Sequence, residues 1–106
     1  MEEKIRISIL LEIYGKLLTP KQYEFMDYYY NQDLSLSEIA DNNDITRQAV
    51  NTILIKSKKK LEEYEELLGV RKKEETIIQD IKKIEGTKLT QEQKKVLNNI
   101  KEKLDF

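Results

Sequence analysis

The stretch TRQAVNTILIKSKKK, Thr46 to Lys60, holds five cations and no carboxylate, in a chain with 20 acidic and 19 basic residues. Gln48 and Asn51 each carry a donor and an acceptor on one planar amide, the combination that bonds an adenine edge. Arg47, Lys56 and Lys59 can take a guanine edge or a phosphate. Thr46 and Thr52 add hydroxyls, and Ile55 offers an apolar contact to a thymine methyl or to a protein partner. The chemistry available is recognition of a polyanion. Charge is distributed accordingly: residues 1–44 carry four cations and nine anions, residues 45–60 carry a net +5, and residues 61–106 a net −1.

Other chemistries are excluded by composition. The chain has no cysteine and no histidine, which removes Cys/His nucleophile pairs, imidazole acid/base work, Cys/His zinc sites and a disulfide framework. Gly15, Gly69 and Gly86 stand alone as helix punctuation and form no phosphate-cradling loop. Glu62-Glu63 and Glu65-Glu66 read as solvated helix faces. No catalytic residue, cofactor site or metal site is expected.

The segment needs a scaffold to hold it, and helical spacing supplies one. Ile5, Ile9, Leu10, Ile13, Tyr14, Leu17 and Leu18 predict one broad apolar face on a first helix. Thr19, Pro20 and Gln22 predict a capping box that starts a second helix, running to about Asn31 with a core stripe of Tyr23, Met26, Tyr29 and Tyr30. Tyr28 to Tyr30 read as core aromatics, since Asp27 and Asp33 would repel the phosphates of a stacked strand. Ser35 with Glu38 opens a short third helix bearing Leu36, Ile39 and Ala40, and Asn42-Asn43-Asp44 is a turn.

Thr46 caps a long fourth helix whose seam is Val50, Leu54, Ser57, Leu61, Tyr64 and Leu68, with Gly69 as its stop. Ile77, Ile78, Ile81 and Ile84 stripe a fifth helix that ends at Gly86. Thr90 and Gln93 cap a sixth, bearing Leu97, Ile100 and Leu104. The N-terminal apolar run, hemmed by Glu2, Glu3 and Glu12, reads as a core helix and not as a leader or a membrane span.

Ala40 small enough for a close crossing, a turn, Ile45 beneath it, a capping Thr46, then Val50 and Ile53 on the next helix form the helix-turn-helix pattern. At about 100° per residue, Leu54, Ser57 and Leu61 fall within about 40° of Val50. Gln48, Asn51, Thr52, Ile55, Lys56 and Lys59 fall on the far side. Free backbone amides near Thr46 and Arg47 also favour a phosphate. Of Lys58 to Lys60, one or two are expected to contact phosphate.

At this point the chain resembles a family. Leu18-Thr19, Lys21-Gln22, Met26, Tyr29-Tyr30, Asp33, Ser35-Leu36, Glu38-Ile39-Ala40, Arg47-Gln48-Ala49-Val50, Leu61-Glu62 and Tyr64-Glu65 are similar to the pattern of the small bacterial YlxM-like proteins, over residues 5–68. Their helix-turn-helix is in turn similar to region 4 of sigma factors. The resemblance implies a sigma region 4-like helix-turn-helix bundle; with the spacing above, the expected fold is all-α, with a long fourth helix and a C-terminal helical extension. It also implies a cytoplasmic, regulatory, non-enzymatic protein associated with the signal recognition particle pathway. Asn51, Thr52 and Ile55 stand where the pattern has an aromatic, an acidic and a basic residue, and Asn43 replaces an apolar one; these departures touch the reading face and leave the scaffold match unaffected.

The expected organisation is a helix-turn-helix domain over 1–68 and a C-terminal extension over 69–106 acting as dimerisation element. The expected partners are DNA, with RNA as an alternative, and a second copy of the chain, with no membrane insertion. The competing expectation is an adaptor that binds a protein of the targeting machinery and contributes little nucleic-acid binding of its own.

Overall fold

The computed structural model describes residues 2–104. Among them the chain forms α1 (Glu3–Tyr14), a 3-10 turn (Gly15–Leu17), α2 (Pro20–Tyr30), α3 (Leu36–Asn42), α4 (Arg47–Leu68), α5 (Val70–Glu85) and α6 (Gln91–Lys103), with no strand. It divides into two compact units, Met1–Arg71 and Lys72–Phe106. No helix among the described residues is long and apolar enough to cross a membrane.

Local side-chain chemistry sets the helix boundaries. At Thr19/Gln22, Ser35/Glu38 and Thr90/Gln93 both bonds of the capping box are formed, each satisfying two backbone donors that a helix start leaves open. Thr46 caps α4 through its hydroxyl, which accepts from the Ala49 amide at 3.0 Å. The far end of α4 stops at Gly69, whose φ of 62° is left-handed and whose N–H reaches the Glu65 carbonyl at 2.8 Å. A Cβ at Gly69 would meet nothing within 4 Å. Glycine is needed there for backbone conformation alone.

In the unit Met1–Arg71, α4 packs against α1, α2 and α3. The core is Ile7, Leu10, Leu11 and Tyr14 of α1, Leu18, Phe25 and Met26, Ile39 and Ala40 of α3, and Val50, Leu54 and Leu61 of α4. Each fully buried aliphatic side chain here contributes about 1.5–3 kcal/mol. Ser57 is fully buried in the same seam, its hydroxyl turned back to the Ile53 carbonyl at 2.7 Å.

The stripes of α1 and α2 differ from the spacing-based expectation, and Leu68 at the end of the α4 seam is 47% exposed. Ile5 and Leu17 are 51% and 53% exposed, whereas Ile7 and Leu11 are buried. On α1, Ile5, Ile7, Ile9, Leu10, Leu11 and Ile13 spread over about 240° of the wheel, so periodicity does not single out the inward face. Packing against α2 and α4 does. On α2, Tyr23 is 43% exposed and Phe25, absent from the expected stripe, is buried. Tyr29 and Tyr30 are half-buried and meet edge-on at 4.9 Å.

In the unit Lys72–Phe106, the buried hydrophobic side chains among the described residues are Ile81 and Leu97. Lys101 pairs with Glu85 at 2.6 Å. Ile77, Ile84, Val96 and Ile100 remain between 39% and 50% exposed.

Candidate nucleic-acid interface

The site is α4 as presented by the turn before it. After α3 the Asn43 side-chain amide donates to the Ile39 carbonyl at 2.8 Å, Ile45 N–H donates to the Ala40 carbonyl at 3.1 Å, and Asp44 takes a left-handed φ of 53°. These bonds reverse the chain within three residues and place half-buried Ile45 beneath the turn. Buried Ile39 and Ala40 on α3 and buried Val50 on α4 belong to one core cluster. One side of α4 is thereby fixed inward, and its opposite side has no choice but to face out.

All eight sequence-predicted residues, Thr46, Arg47, Gln48, Asn51, Thr52, Ile55, Lys56 and Lys59, are exposed. From Gln48 to Lys59 they extend about 16 Å along the helix. Gln48, Asn51, Thr52, Ile55, Lys56 and Lys59 share the outward side, whereas Arg47 sits at its edge, about 60° from Val50 on the wheel, in the first turn. Among the described residues no side-chain hydrogen bond or ion pair engages Arg47, Gln48, Asn51, Lys56 or Lys59. Ile55, 59% exposed, stands among them.

The two threonines are less free. Thr46 is engaged as the helix cap, and the Thr52 hydroxyl donates to the Gln48 carbonyl at 3.0 Å. Toward a ligand Thr52 therefore offers lone pairs and a methyl group. The amides of Arg47 and Gln48, ahead of the capped Ala49, lack the carbonyl four residues back that interior helix amides use, and point along the positive end of the helix dipole.

The lysine run resolves into separate roles. Lys58 pairs with Glu3 of α1, and both Lys58 and Lys60 are half-buried. Lys59 alone of the three faces fully outward. The cationic face also has limits that the stretch 46–60 does not reveal when read alone. Exposed Glu38 and Asp41 on α3 and exposed Asp44 in the turn flank one end; exposed Glu63 and Glu66 follow Lys59 on the same side of α4. Extending the helical wheel past Lys60 is the signal that finds the last two.

This order of charges runs against the helix dipole, with a cation at the first position of α4 and carboxylates in its last turn. Such placements cost about 0.3–1 kcal/mol each. Glu65 recovers part of that through the Tyr14 hydroxyl at 2.7 Å and the Arg71 amide at 3.0 Å. Arg47 has no comparable bond among the described residues, so its place is not explained by the fold.

Comparison with known sequences agrees with the helix-turn-helix. The family model UPF0122, "Putative helix-turn-helix protein, YlxM / p13 like", matches residues 1–103. The match takes in α5 and α6 as well as the helix-turn-helix. A UPF0122 protein of Clostridium kluyveri is 49% identical over 79% of this chain and 76% of its own length. One from Clostridium acetobutylicum is 46% identical over 77% and 73%. One from Acetivibrio thermocellus is 33% identical over 99% and 96%.

Proposed function

The chain belongs to the UPF0122 family of YlxM/p13-like helix-turn-helix proteins, and from that premise we propose that it is a non-enzymatic, cytoplasmic regulator that binds duplex DNA through α4. The observation that carries the reading is the outward side of α4, where Arg47, Gln48, Asn51, Lys56 and Lys59 are exposed and unengaged among the described residues. In this reading α4 enters the major groove. Gln48 and Asn51 meet base edges, Arg47, Lys56 and Lys59 meet phosphates or guanine, and Thr46 with the first amides of the helix receives a phosphate. Thr52 and Ile55 supply apolar contact to thymine methyls. The carboxylates of α3 and the turn oppose phosphate nearby, which confines a duplex to the line from Gln48 to Lys59.

Three phosphate contacts give a salt slope of about −2.7 in log–log form, and a dimer about twice that. Pairing of two chains through residues 69–106 is part of the proposal. Likeness to the YlxM family adds a role beside the signal recognition particle pathway. An RNA target is disfavoured by the narrow major groove of A-form duplexes.

The test is binding of random-sequence duplex DNA at low salt by fluorescence anisotropy. The triple variant Arg47→Ala/Lys56→Ala/Lys59→Ala is expected to lose at least about 100-fold in affinity and most of the salt slope. Parent-like binding by that variant defeats the proposal. One observation supports a second reading, as an adaptor: Ile55 and Leu67 are 59% and 81% exposed. A protein partner retained after nuclease treatment, together with an absent DNA signal, selects it.

A further inference from the structure

The unit Lys72–Phe106 falls below the roughly 40 residues under which a chain needs disulfides, a metal or association to hold its fold. It has no cysteine, and among the described residues no group of three or more carboxylate, Cys or His side chains is placed to hold a metal ion. Ile81 and Leu97 are its buried hydrophobics. An apolar groove of about 360 Å³ runs along it, lined by Ile84, Leu89, Glu92, Val96, Leu97 and Ile100.

The charge pattern on α6 identifies the occupant. Taking Leu97 as zero on the helical wheel, Ile100 and Val96 lie at about 60–100° on one side, and Glu92 and Lys103 lie just beyond them at about 120–140°. Glu92, Val96, Ile100 and Lys103 thus form one stripe with a carboxylate at its start and an ammonium at its end. All four are exposed. Turned end over end, this stripe matches itself. In an antiparallel pair, residues whose numbers sum to 195 or 196 would face one another, so that Val96 would meet Ile100 of a second copy and Glu92 its Lys103. Parallel pairing would instead set Glu92 against Glu92 and Lys103 against Lys103.

We propose that this face is the two-fold seam of a homodimer in which α6 pairs antiparallel with α6 of a second copy. The contact is isologous: each apolar residue and each charge appears twice, with its partner of the right kind opposite. A partner of a single charge sign would not match the mixed rim. The inference deepens the pairing proposed above and does not depend on which nucleic acid α4 binds.

Because the chain lacks cysteine, the register can be read by cross-linking the full-length protein. Glu92→Cys/Lys103→Cys is expected to form an intermolecular disulfide under mild oxidation, two per dimer, seen as a covalent dimer without reductant. Each single variant is expected to stay uncross-linked, since residue 92 and its own copy are separated by about 11 residues, or about 16 Å. In parallel, Glu92→Lys and Lys103→Glu should each raise the dimer dissociation constant in sedimentation equilibrium by about tenfold, and the double swap should return it toward the parent. A dimer that cross-links through either single variant, or that lacks the 92–103 disulfide, overturns the antiparallel register while leaving pairing in place. A parent chain that sediments as a monomer at every accessible concentration overturns both. Neither outcome alters the anisotropy result for α4.

Discussion

The buried hydroxyl of Tyr14 donates to Glu65 Oε1 at 2.7 Å and accepts from the Val70 amide at 3.1 Å, while the same Glu65 oxygen accepts from the Arg71 amide at 3.0 Å. One phenol on α1 and one carboxylate on α4 therefore serve the first backbone donors of α5, the groups a helix start leaves open. The Tyr14 ring lies 6.0 Å from Tyr64 on α4. Removing only the hydroxyl, in Tyr14→Phe, leaves the Val70 amide without that acceptor and Glu65 without one donor. We expect a loss of about 1–3 kcal/mol in urea unfolding, with DNA affinity per folded molecule unchanged because α4 keeps its outward side.

Ser57 gives the opposite case, a buried polar group whose loss is tolerated. Its hydroxyl has no exposure and bonds the Ile53 carbonyl, an acceptor already provided for by the helix ladder. Ser57→Ala is expected to change unfolding free energy by less than about 0.5 kcal/mol. Ser57→Leu, which adds volume where α4 is fully covered, is expected to cost about 1–3 kcal/mol. Equal losses for the two variants would show that the hydroxyl, and not the small size, matters at this position.

Thr19, Ser35, Thr46 and Thr90 show why the helix starts were legible in the sequence: each cap is a short-range bond between residues three apart, so the information sits in four consecutive letters. The inward side of α4 was legible for a related reason, since Val50, Leu54, Ser57 and Leu61 recur three or four apart while Asn51, Thr52, Lys56 and Lys58 to Lys60 between them favour solvent. Ile7 and Leu11 were not. Around α1 the apolar residues spread over about 240°, and the choice among them is made by packing against α2 and α4, which the letters of α1 alone do not contain. The same holds for Phe25 against Tyr23. At the candidate site the outward residues could be read from the wheel, but the engagement of Lys58 by Glu3 could not, because 55 positions separate them.

Alkaline pH should weaken the fold, and the sign follows from three side chains. The bond to Asp33 holds the Lys4 ammonium above its ordinary value, the bond to Glu24 does the same for the Tyr28 phenol, and burial raises Tyr30. Each keeps its proton to higher pH in the folded chain than in the unfolded one. Below their ordinary values near 10 this contributes its full share of stability; as pH rises through the raised folded values that share is lost. Denaturation midpoints should therefore fall as pH rises above about 10. Tyr30→Phe, which leaves no proton to lose at the most buried of the three, should make that fall shallower; an unchanged slope would assign it elsewhere.

Lys58 and Lys59 are neighbours in sequence with the same side chain, and the fold gives them different partners. Lys58 is held by Glu3 of α1 and half-buried, whereas Lys59 is exposed and unengaged among the described residues. If α4 meets phosphate, Lys59→Ala should reduce the log–log salt slope by about 0.9, one phosphate's worth, and Lys58→Ala by clearly less. Glu3→Gln releases Lys58 without removing a cation. It should steepen the slope by up to about 0.9 and tighten low-salt binding, while costing less than about 1 kcal/mol of stability, as for other exposed ion pairs. Measuring anisotropy across a salt series for these three variants separates the roles. Equal slopes for Lys58→Ala and Lys59→Ala would mean that the α1 contact yields to DNA, and that Glu3 does not limit the cationic face.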